Sequence, residues 1–483
     1  DFLDNLCYFI FRAWYTSNIG MSIVTLTPGD SKKDERRIGM DSSTIAIVIT
    51  VITIVSFILE KIPLAMTAMI ASLAMGILVP EMKLSDIYSG FSSNNVIMVA
   101  GMCIVGDALF KTGMANKIGK ALGKSAVAKN ERTFLIAVVI CCTVMSAFLS
   151  NSGTIAMWMP LIAAVAAKSN GVIRSKMVIL AAGIACAVGG AGTLVGSTSQ
   201  QTANAVLMGV AGYEDGLSLF DQTKIMIPLC LIMIVYFATA GYSLTKKVLK
   251  PESPDFDKGN YYADLASKTS DETQNDVPAW KGWFSLIVLL LCIVGFVLTD
   301  QAAFKPYINV AVVALIGATV LITSGCMPLK KTLAEMDWNT LVILAAAQGF
   351  ATGLDVSGGG KVIADAVLNL FGGQEASTAV LMAVGVIVTT ILTNFMSNTA
   401  LAAMMTPIYI QIANSLGVSP VPFVIAIGCV ATNLACATPV GTPACTQTLP
   451  AGYKYMDYMK IGGPLAIILM IAAAALAPVM YPF

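Results

Sequence analysis

Histidine is absent from this chain of 483 residues. Its absence excludes every site that depends on an imidazole, such as histidine-ligated metals, histidine general bases and histidine proton relays. The phosphate-binding motif G-x-x-x-x-G-K-[ST] is also absent, which argues against an ATP-driven pump. Neither a nucleophile beside a base nor a nucleic-acid motif is found in the sequence. We therefore predict that the protein is not an enzyme, that it has no cofactor and that it does not bind nucleic acid.

Charged residues are scarce as well. They make up 12% of the chain, against roughly 25% in an ordinary soluble protein. The hydrophobic share is 57%, and many apolar runs reach the roughly 20 residues that a bilayer-spanning helix needs. The eleven cysteines lie mostly inside these runs, which is typical of small buried thiols rather than of disulfides. These features predict an all-helical, polytopic membrane protein surrounded by the lipid bilayer.

Two short polar breaks interrupt the apolar runs. They are Ser150-Asn151-Ser152, inside FLSNSGTIAMWMP, and Ser397-Asn398-Thr399, inside FMSNTALAAMMTP, 247 positions later. A polar break at membrane depth is tolerated only where it is buried in protein or lines a water-filled cavity. Breaks in corresponding places of two halves are typical of a transporter's binding site. The competing interpretation, that Ser150 or Thr399 only caps a helix, is weaker for two matching breaks than for one.

The order of predicted elements repeats along the chain. Segments starting at Asn94 and Trp338 align at an offset of 244, and residues 192–200 align with 437–445 at 245. We predict two repeats of about five spans each, with inverted topology. The predicted divisions are an N-terminal segment 1–41 (one poor span or interfacial helix, then a charged linker), a first repeat 42–245, a cytoplasmic linker 246–282 and a second repeat 283–483.

Each polar break and its flanking apolar segments predict a re-entrant hairpin, over 133–167 and 377–416. Basic residues stand only at the feet of the first hairpin: Lys124, Lys129, Arg132, Lys168, Arg174 and Lys176. By the positive-inside rule, the first hairpin enters from the cytoplasm and the second from outside. At each tip the second half-helix has free backbone N–H groups and the positive end of its dipole, which favour a carboxylate. Amphipathic segments 111–129 and 357–371 precede the hairpins.

A second pair of breaks follows the hairpins, at Gly196-Ser197-Thr198 and Gly441-Thr442-Pro443. Glycine and proline there unwind a helix and expose carbonyls, although an ordinary kink is the alternative. Ser146 and Thr393 lie one turn before the tips, so their hydroxyls face the same site or bond their own helix turn. Side-chain oxygens and carbonyls suit a sodium ion, whereas N–H groups and hydroxyls suit a carboxylate.

The sequence SNTALAAMMTP, and more loosely SNSGTIAMWMP, resembles the Ser-Asn-Thr signature of the divalent anion/sodium symporter (di- and tricarboxylate transporter) family, in the ion transporter superfamily. The resemblance covers about residues 42–483. It implies a scaffold domain that forms a homodimer, a transport domain that carries both hairpins, and an elevator movement between them. It also implies a place in the bacterial cytoplasmic membrane.

The resemblance further implies the roles of individual residues. The substrate would contact Ser150, Asn151, Ser152, Ser397, Asn398, Thr399, Thr442 and Pro443. A first sodium site would use Ser146, Ser150, Asn151 and Gly196, and a second would use Thr393, Asn398 and Gly441. The family often has Gly-Thr-Pro-Pro-Asn in the unwound stretch, from which the first copy here departs at Ser197 to Gln200.

These observations predict a secondary transporter of small dicarboxylates (the succinate, malate, fumarate and 2-oxoglutarate class), coupled to sodium. The sequence leaves open a sodium-independent dicarboxylate exchanger and, in another class, a sodium/proton or inorganic anion antiporter. No arginine or lysine falls in the predicted site, so neutral donors and helix dipoles must hold the anion. That arrangement does not separate a dicarboxylate from citrate or sulfate.

Overall fold

A computed structural model of the protein describes residues 41–59, 61–114, 117, 125–169, 171–253, 256, 278–299, 307–370, 373 and 377–483. Within these ranges the secondary structure is helical, with no strand, so the all-helical prediction is confirmed. The N-terminal segment before residue 41, residues 115–116 and 118–124 of the amphipathic segment 111–129, and most of the linker 246–282 lie outside the described residues. The boundaries of the predicted repeats and their inversion stay predictions.

The described part of the first half forms nine α-helices. They are α1 (Ser42–Leu59), α2 (Leu64–Leu78), α3 (Asn94–Lys111), α4 (Glu131–Ser146), α5 (Asn151–Lys168), α6 (Ser175–Gly190), α7 (Thr198–Met208), α8 (Thr223–Ala238) and α9 (Ala240–Leu249). Short 3-10 turns cover Leu84–Ile87, Ser89–Ser92 and Ala126–Lys129. The polar breaks of the sequence therefore separate α4 from α5 and α6 from α7.

The described part of the second half forms ten more helices. They are α10 (Ala279–Thr299), α11 (Val310–Thr323), α12 (Leu329–Ala334), α13 (Trp338–Val356), α14 (Gly359–Leu370), α15 (Thr378–Thr393), α16 (Asn398–Leu416), α17 (Val421–Asn433), α18 (Pro443–Thr446) and α19 (Tyr455–Met480). Helix α17 is π-helical over Val424–Val430 and ends in a 3-10 turn. The sequence did not predict α12, and it predicted that the last span begins at 461 rather than at Tyr455.

Four described helices are long and apolar enough to cross a membrane, namely α3, α10, α13 and α19. A fifth span results if α8 and α9 count as one, although a bend of 49° separates them. The apolar sequence of residues 224–244 by itself predicts one unbroken span, and the structure corrects this prediction at the bend. The carbonyl of Ala238 at the bend accepts a hydrogen bond from Arg132 Nε at 2.6 Å, so the guanidinium replaces the helical N–H that would otherwise pair with it.

The helices pack as two groups that meet at the polar breaks. One group has α3 against α10 and α11, and α2 against α1 and α13. In the other group α4 packs on α6, α7 on α16, and α15 on α19. Small residues permit the close approaches, since a Cβ at Gly101 of α3 would lie 2.7 Å from the carbonyl carbon of Ala314 in α11. The two groups touch through α7 on α13 and through α14 on α16.

Candidate functional site

The two hairpin tips are short non-helical connections, at residues 147–150 and 394–397. At the first tip the Ser150 side chain caps α5 by accepting a hydrogen bond from Gly153 N at 3.2 Å. At the second tip Ser397 is the N-cap of α16 and makes no such bond. The capping interpretation therefore describes Ser150 but not Thr399, which is the second residue of α16 and whose hydroxyl contacts Thr198 Oγ1. Both helices begin with an asparagine, Asn151 or Asn398.

In both halves the hydroxyl one turn before the tip lies next to the side-chain amide of the asparagine. Ser146 Oγ lies 2.6 Å from the side-chain amide of Asn151, and Thr393 Oγ1 lies 2.7 Å from the amide oxygen of Asn398. Each hydroxyl also donates to a carbonyl of a neighbouring segment, at Cys186 (2.8 Å) or at Thr432 (2.5 Å). These bonds connect the first tip to α6 and the second tip to α17, the helices that follow the two hairpins, rather than to the tips' own helical turns.

The Asn151 amide faces three oxygen atoms. The end nearest Ser146 Oγ also lies 2.9 Å from the carbonyl oxygen of Gly196 and 3.2 Å from that of Cys186. An amide nitrogen at this position has two hydrogens to donate to these oxygens, whereas an amide oxygen there would face the two carbonyls without a donor, and this fixes the orientation of the side chain. At the second tip the carbonyl that corresponds to Gly196 O is Gly441 O. It accepts a hydrogen bond from the backbone N–H of Asn398, at 3.3 Å, instead of from the side chain. The first tip therefore gathers more side-chain and carbonyl oxygens around its asparagine.

The two unwound stretches lie directly on the hairpin backbones because they contain glycine there. A Cβ at Gly196 would lie 2.6 Å from Ser146 O and 2.8 Å from Ala147 O. A Cβ at Gly441 would collide with Thr393 O. Only a residue without a side chain permits this approach of two backbones.

A threonine near each glycine fastens the unwound stretch to the tip. Thr193 Oγ1 donates to Ala147 O, and Thr438 Oγ1 donates to Asn394 O. The same hydroxyls accept hydrogen bonds from backbone N–H groups two residues later, both at 3.3 Å. The two halves thus repeat one local architecture, including its hydrogen bonds, at the offset found in the sequence.

A cavity of about 530 Å³ opens between the two groups of helices. Its lining includes all eight residues that the sequence assigned to the substrate, Ser150, Asn151, Ser152, Ser397, Asn398, Thr399, Thr442 and Pro443, together with Gly196. Of the other predicted sodium ligands, Ser146, Thr393 and Gly441 lie behind the tips and do not line it. The structure therefore brings together residues that are 293 positions apart in the chain.

Sequence reasoning marked the break that contains Thr198 but assigned neither Thr198 nor Gln201 to the substrate, and both line the cavity. Thr198 Oγ1 lies 2.6 Å from Thr399 Oγ1 and so joins the first unwound stretch to the second tip. Gln201 lines the cavity from the next turn of α7. Its backbone carbonyl accepts a hydrogen bond from Asn95 Nδ2 of α3 at 2.7 Å. The polar composition of residues 199–208 was the available signal for Gln201, since such residues at membrane depth require partners.

The mouth of the cavity carries carboxylates, at Asp107, Glu335 and Asp337. Asp107 and Lys111 are four residues apart, a spacing that predicts an ion pair on one helix face, and they do pair at 3.8 Å. Lys111 Nζ lies closer to Glu335, however, at 2.5 Å. The ammonium group of Lys111 lowers the pKa of the Glu335 carboxyl below its usual value. No lysine or arginine is among the described residues that line the cavity. An anion in this cavity therefore meets hydroxyls, amides and helix N-termini rather than a fixed positive charge.

Comparison with known proteins begins with a family match. The sequence pattern of citrate transporters (CitMHS) matches residues 54–428 and, in a second and overlapping match, residues 302–483. The first range alone covers more than half of the chain.

Individual relatives are also named as transporters. An uncharacterized transporter of Haemophilus influenzae is 24% identical over 409 residues, covering 80% of this chain and 81% of that protein. The uncharacterized transporter YfbS of Escherichia coli is 27% identical over 220 residues, covering 45% of this chain and 35% of that protein. Sodium/sulfate cotransporter 1 of Chlamydomonas reinhardtii is 27% identical over 192 residues, covering 39% of this chain and 22% of that protein. The chain thus spans about a third or less of the last two.

Two solved transporters share the fold. YdaH of Alcanivorax borkumensis has a TM-score of 0.55 at 18% identity, covering 82% of this chain and 86% of that chain. MtrF of Neisseria gonorrhoeae has a TM-score of 0.55 at 13% identity, covering 98% and 93%. The family match leads to one conclusion: this chain belongs to the citrate transporter family, within the ion transporter superfamily, and is an integral membrane transporter.

Proposed function

We propose that this transporter carries small dicarboxylate anions across the bacterial cytoplasmic membrane, coupled to sodium. The observation that supports it best is the set of eight neutral residues, from two tips and one unwound stretch, that line a single cavity. Citrate, after which the family is named, is the principal alternative substrate. Its third carboxylate would have to point toward the mouth.

The two helix N-termini explain how a dianion can be held without lysine or arginine. Helices α5 and α16 both begin at the cavity, at Asn151 and Asn398. Among the first N–H groups of these helices, Gly153 N bonds Ser150 Oγ and Asn398 N bonds Gly441 O. The other N–H groups of the first turns have no intrahelical partner, and the positive ends of the helix dipoles point to the same space. One carboxylate at each N-terminus is the arrangement that this geometry favours.

The oxygen atoms around Asn151 support a sodium site there. Ser146 Oγ, Gly196 O and Cys186 O all approach one end of its amide. A bound sodium ion would require an oxygen at that end, so the amide would turn to present Oδ1 instead of Nδ2. The second proposed site, at Thr393, Asn398 and Gly441, has the hydroxyl-to-asparagine contact in common with it. The sodium-independent exchanger remains the alternative if neither site takes the ion.

The packing in two groups supports an elevator mechanism. The tips and unwound stretches belong to one group, while α3 and α13 of the other group form the opposite wall of the cavity. The second group would act as the scaffold of a homodimer, and α10 exposes the apolar side chains Ile287, Leu290, Leu291 and Val294 for lipid or for a second copy. The positive-inside rule predicts that the mouth of the cavity, beside Lys111, faces the cytoplasm.

The test is uptake of radiolabelled succinate and citrate into proteoliposomes, with an inward sodium gradient or with choline in its place. We expect sodium-dependent uptake that is lost in Asn151→Ala and in Asn398→Ala. The matched control is Asn414→Ala, an exposed asparagine near the other end of α16, which should transport normally. Uptake that needs internal substrate but no sodium would favour the exchanger, and normal uptake in both tip variants would exclude the proposed site.

A further inference from the structure

Gln200 of α7 and Asn433 of α17 form a buried hydrogen bond between the two halves of the chain. Both side chains are 0% exposed. Asn433 Nδ2 lies 3.0 Å from Gln200 Oε1 and 2.8 Å from Ser199 Oγ, and it lies 2.7 Å from the carbonyl oxygen of Cys429 in its own helix. Because this nitrogen has two hydrogens, at least one of them must be donated to α7.

The orientation of the Gln200 amide is fixed by its nitrogen. Nε2 donates to the carbonyl oxygen of Gly190 at 2.7 Å and to that of Thr193 at 2.5 Å. Two carbonyl oxygens at one end of an amide require the nitrogen at that end, so the oxygen of Gln200 faces Asn433. Both hydrogens and the oxygen of this amide are therefore engaged.

The nitrogen end of Gln200 is connected to the first hairpin tip. Gly190 lies directly against the Asn151 side chain, because a Cβ on Gly190 would lie 2.7 Å from Asn151 Cγ. Thr193, whose carbonyl is the other acceptor, donates its hydroxyl to the backbone of the tip at Ala147. A change in the position of the groups around Asn151 therefore also changes the position of the Gln200 amide.

The other end of the pair is connected to the second hairpin tip. Asn433 follows Thr432 in a 3-10 turn, and the carbonyl oxygen of Thr432 accepts a hydrogen bond from Thr393 Oγ1 at 2.5 Å. Thr393 Oγ1 also lies 2.7 Å from Asn398 Oδ1. The Gln200–Asn433 pair thus stands between the two proposed sodium sites, which have no residue in common.

The repeat within the chain shows that packing alone does not require this bond. At the offset of 245, Gln200 corresponds to Cys445 and Asn433 corresponds to Val188, and both of these side chains are also 0% exposed. Cys445 Sγ lies 4.0 Å from the corresponding carbonyl, that of Ala435, and valine has no polar side-chain atom. A thiol and an aliphatic side chain are therefore sufficient in equivalent surroundings, whereas two buried amides at membrane depth are costly.

We propose that the Gln200–Asn433 pair couples the two sodium sites, so that a sodium ion at one site raises the affinity of the other. The proposal rests on the proposed function, and it assigns positioning roles to two residues that do not line the cavity. A sodium ion at the first site turns the Asn151 amide, and the hydrogen bonds of Gln200 transmit the shift to the carbonyl of Thr432. Such coupling is reciprocal, and one hydrogen bond corresponds to about tenfold.

The experiment measures two sodium dependences, with choline keeping the ionic strength constant. One is the uptake of succinate or citrate, and the other is the unfolding temperature without substrate. A coupling of about tenfold between two sites gives a Hill coefficient of about 1.5 in the wild type. In Asn433→Leu, which is similar in size and has no donor, we expect the coefficient to fall to about 1 and the half-saturating sodium concentration to rise about threefold.

The matched control is Tyr236→Phe. It removes a buried hydrogen bond between the halves, from Tyr236 Oη to Ile461 O at 2.6 Å, that involves neither unwound stretch. This variant should keep both the Hill coefficient and the half-saturating concentration. Near saturation, the unfolding temperature of Asn433→Leu should still rise with the logarithm of sodium concentration as steeply as in the wild type, because both sites remain. Half that slope would mean that a site is lost, and it would overturn the coupling role.

Asn433→Ala, which is smaller and introduces no clash, replaces the leucine variant if that variant does not fold. A folded Asn433 variant with the Hill coefficient of the wild type would overturn the proposal. If neither uptake nor unfolding of the wild type depends on sodium, the sodium coupling of the proposed function fails and this inference fails with it. Sodium dependence of the wild type with a Hill coefficient of about 1 overturns this inference alone.

Discussion

The hydroxyl oxygens of Thr198 and Thr399 lie 2.6 Å apart, and this contact joins the first unwound stretch to the second hairpin tip. Both residues line the cavity. A single proton lies between two hydroxyls in a hydrogen bond, so the other hydroxyl proton remains free for an anion. The pair therefore couples the two halves of the chain within the site.

Replacement of either threonine by valine should weaken transport to a similar degree. We expect KM to rise about five- to tenfold in Thr198→Val and in Thr399→Val, since one hydrogen bond is lost in each. The double variant should be little worse than either single one, because residues in direct contact are not additive. The measurement is KM for uptake by the wild type, the two single variants and the double variant. If the losses of the two single variants add in the double variant, the two hydroxyls are not coupled.

A methyl group at either site glycine should abolish uptake. In Gly196→Ala the new Cβ would meet Ser146 O and Ala147 O, and in Gly441→Ala it would meet Thr393 O. Backbone oxygens cannot rotate away from a new methyl group as a side chain can, so the tip must shift. Because misplacement by an ångström is costly, we expect at least about a tenfold loss of transport. The control is Gly463→Ala in α19, where a Cβ meets nothing within 4 Å. Uptake assays and thermal unfolding compare the three, and normal transport by both site variants would contradict the packing.

Loss of the Asn95 side chain should change the balance between conformations. Asn95 is buried and donates to Gln201 O, whereas Asn339, 244 positions later, is exposed at the cavity mouth. The Asn95 side-chain oxygen also accepts a hydrogen bond from Asn204 Nδ2 of α7 at 3.2 Å, so Asn95→Ala removes two hydrogen bonds between the two groups of helices in this state. We expect maleimide labelling of an Asn339→Cys probe to slow by at least about two- to fivefold in this background, because the loss of even one hydrogen bond shifts a two-state equilibrium by that order.

The probe experiment needs the same chain without the added cysteine as its background. Most of the native cysteines of the described residues are buried. If Asn95→Ala leaves the labelling rate unchanged, the hydrogen bonds of Asn95 do not stabilise the conformation described here.

Neutralising Glu335 should improve the capture of an anion. Glu335→Gln removes one of three carboxylates at the mouth and releases Lys111 from its closest partner. We expect KM to fall about two- to threefold at low ionic strength and to approach the wild-type value in high salt, since exposed charges are screened. Because Lys111 lowers the pKa of Glu335, this carboxylate stays ionised to a lower pH than an ordinary glutamate, so the effect should be constant from pH 6 to 8. A KM difference independent of salt would contradict an electrostatic origin.

The tips were predictable from sequence because their signal is local. A Ser-Asn pair inside an apolar run is costly in lipid unless it lines a cavity, and the second copy removed most of the ambiguity. The pairing of Thr198 with Thr399 was not predictable, because it joins residues 201 positions apart. Lys111 was assigned to Asp107 at helical spacing, while its nearer partner Glu335 is reached only through the fold.

Other features escaped prediction for physical reasons of the same kind. The bend after Ala238 has neither glycine nor proline at its centre, and its carbonyl is satisfied by Arg132 from another helix. Gln201 lies in a helix that contains several polar residues, so composition alone does not distinguish it from its neighbours. Its side chain donates to Val195 O, and that contact exists only once the stretch is unwound.

The cavity has a consequence for inheritance. Its eight neutral residues come from both halves, three of them before residue 153 and five of them after residue 396. Buried bonds cross between the halves as well, such as that of Asn433 Nδ2 to Ser199 Oγ at 2.8 Å. A shortened gene that encoded either half alone would therefore specify membrane helices with half a binding site, and the two halves must be retained together.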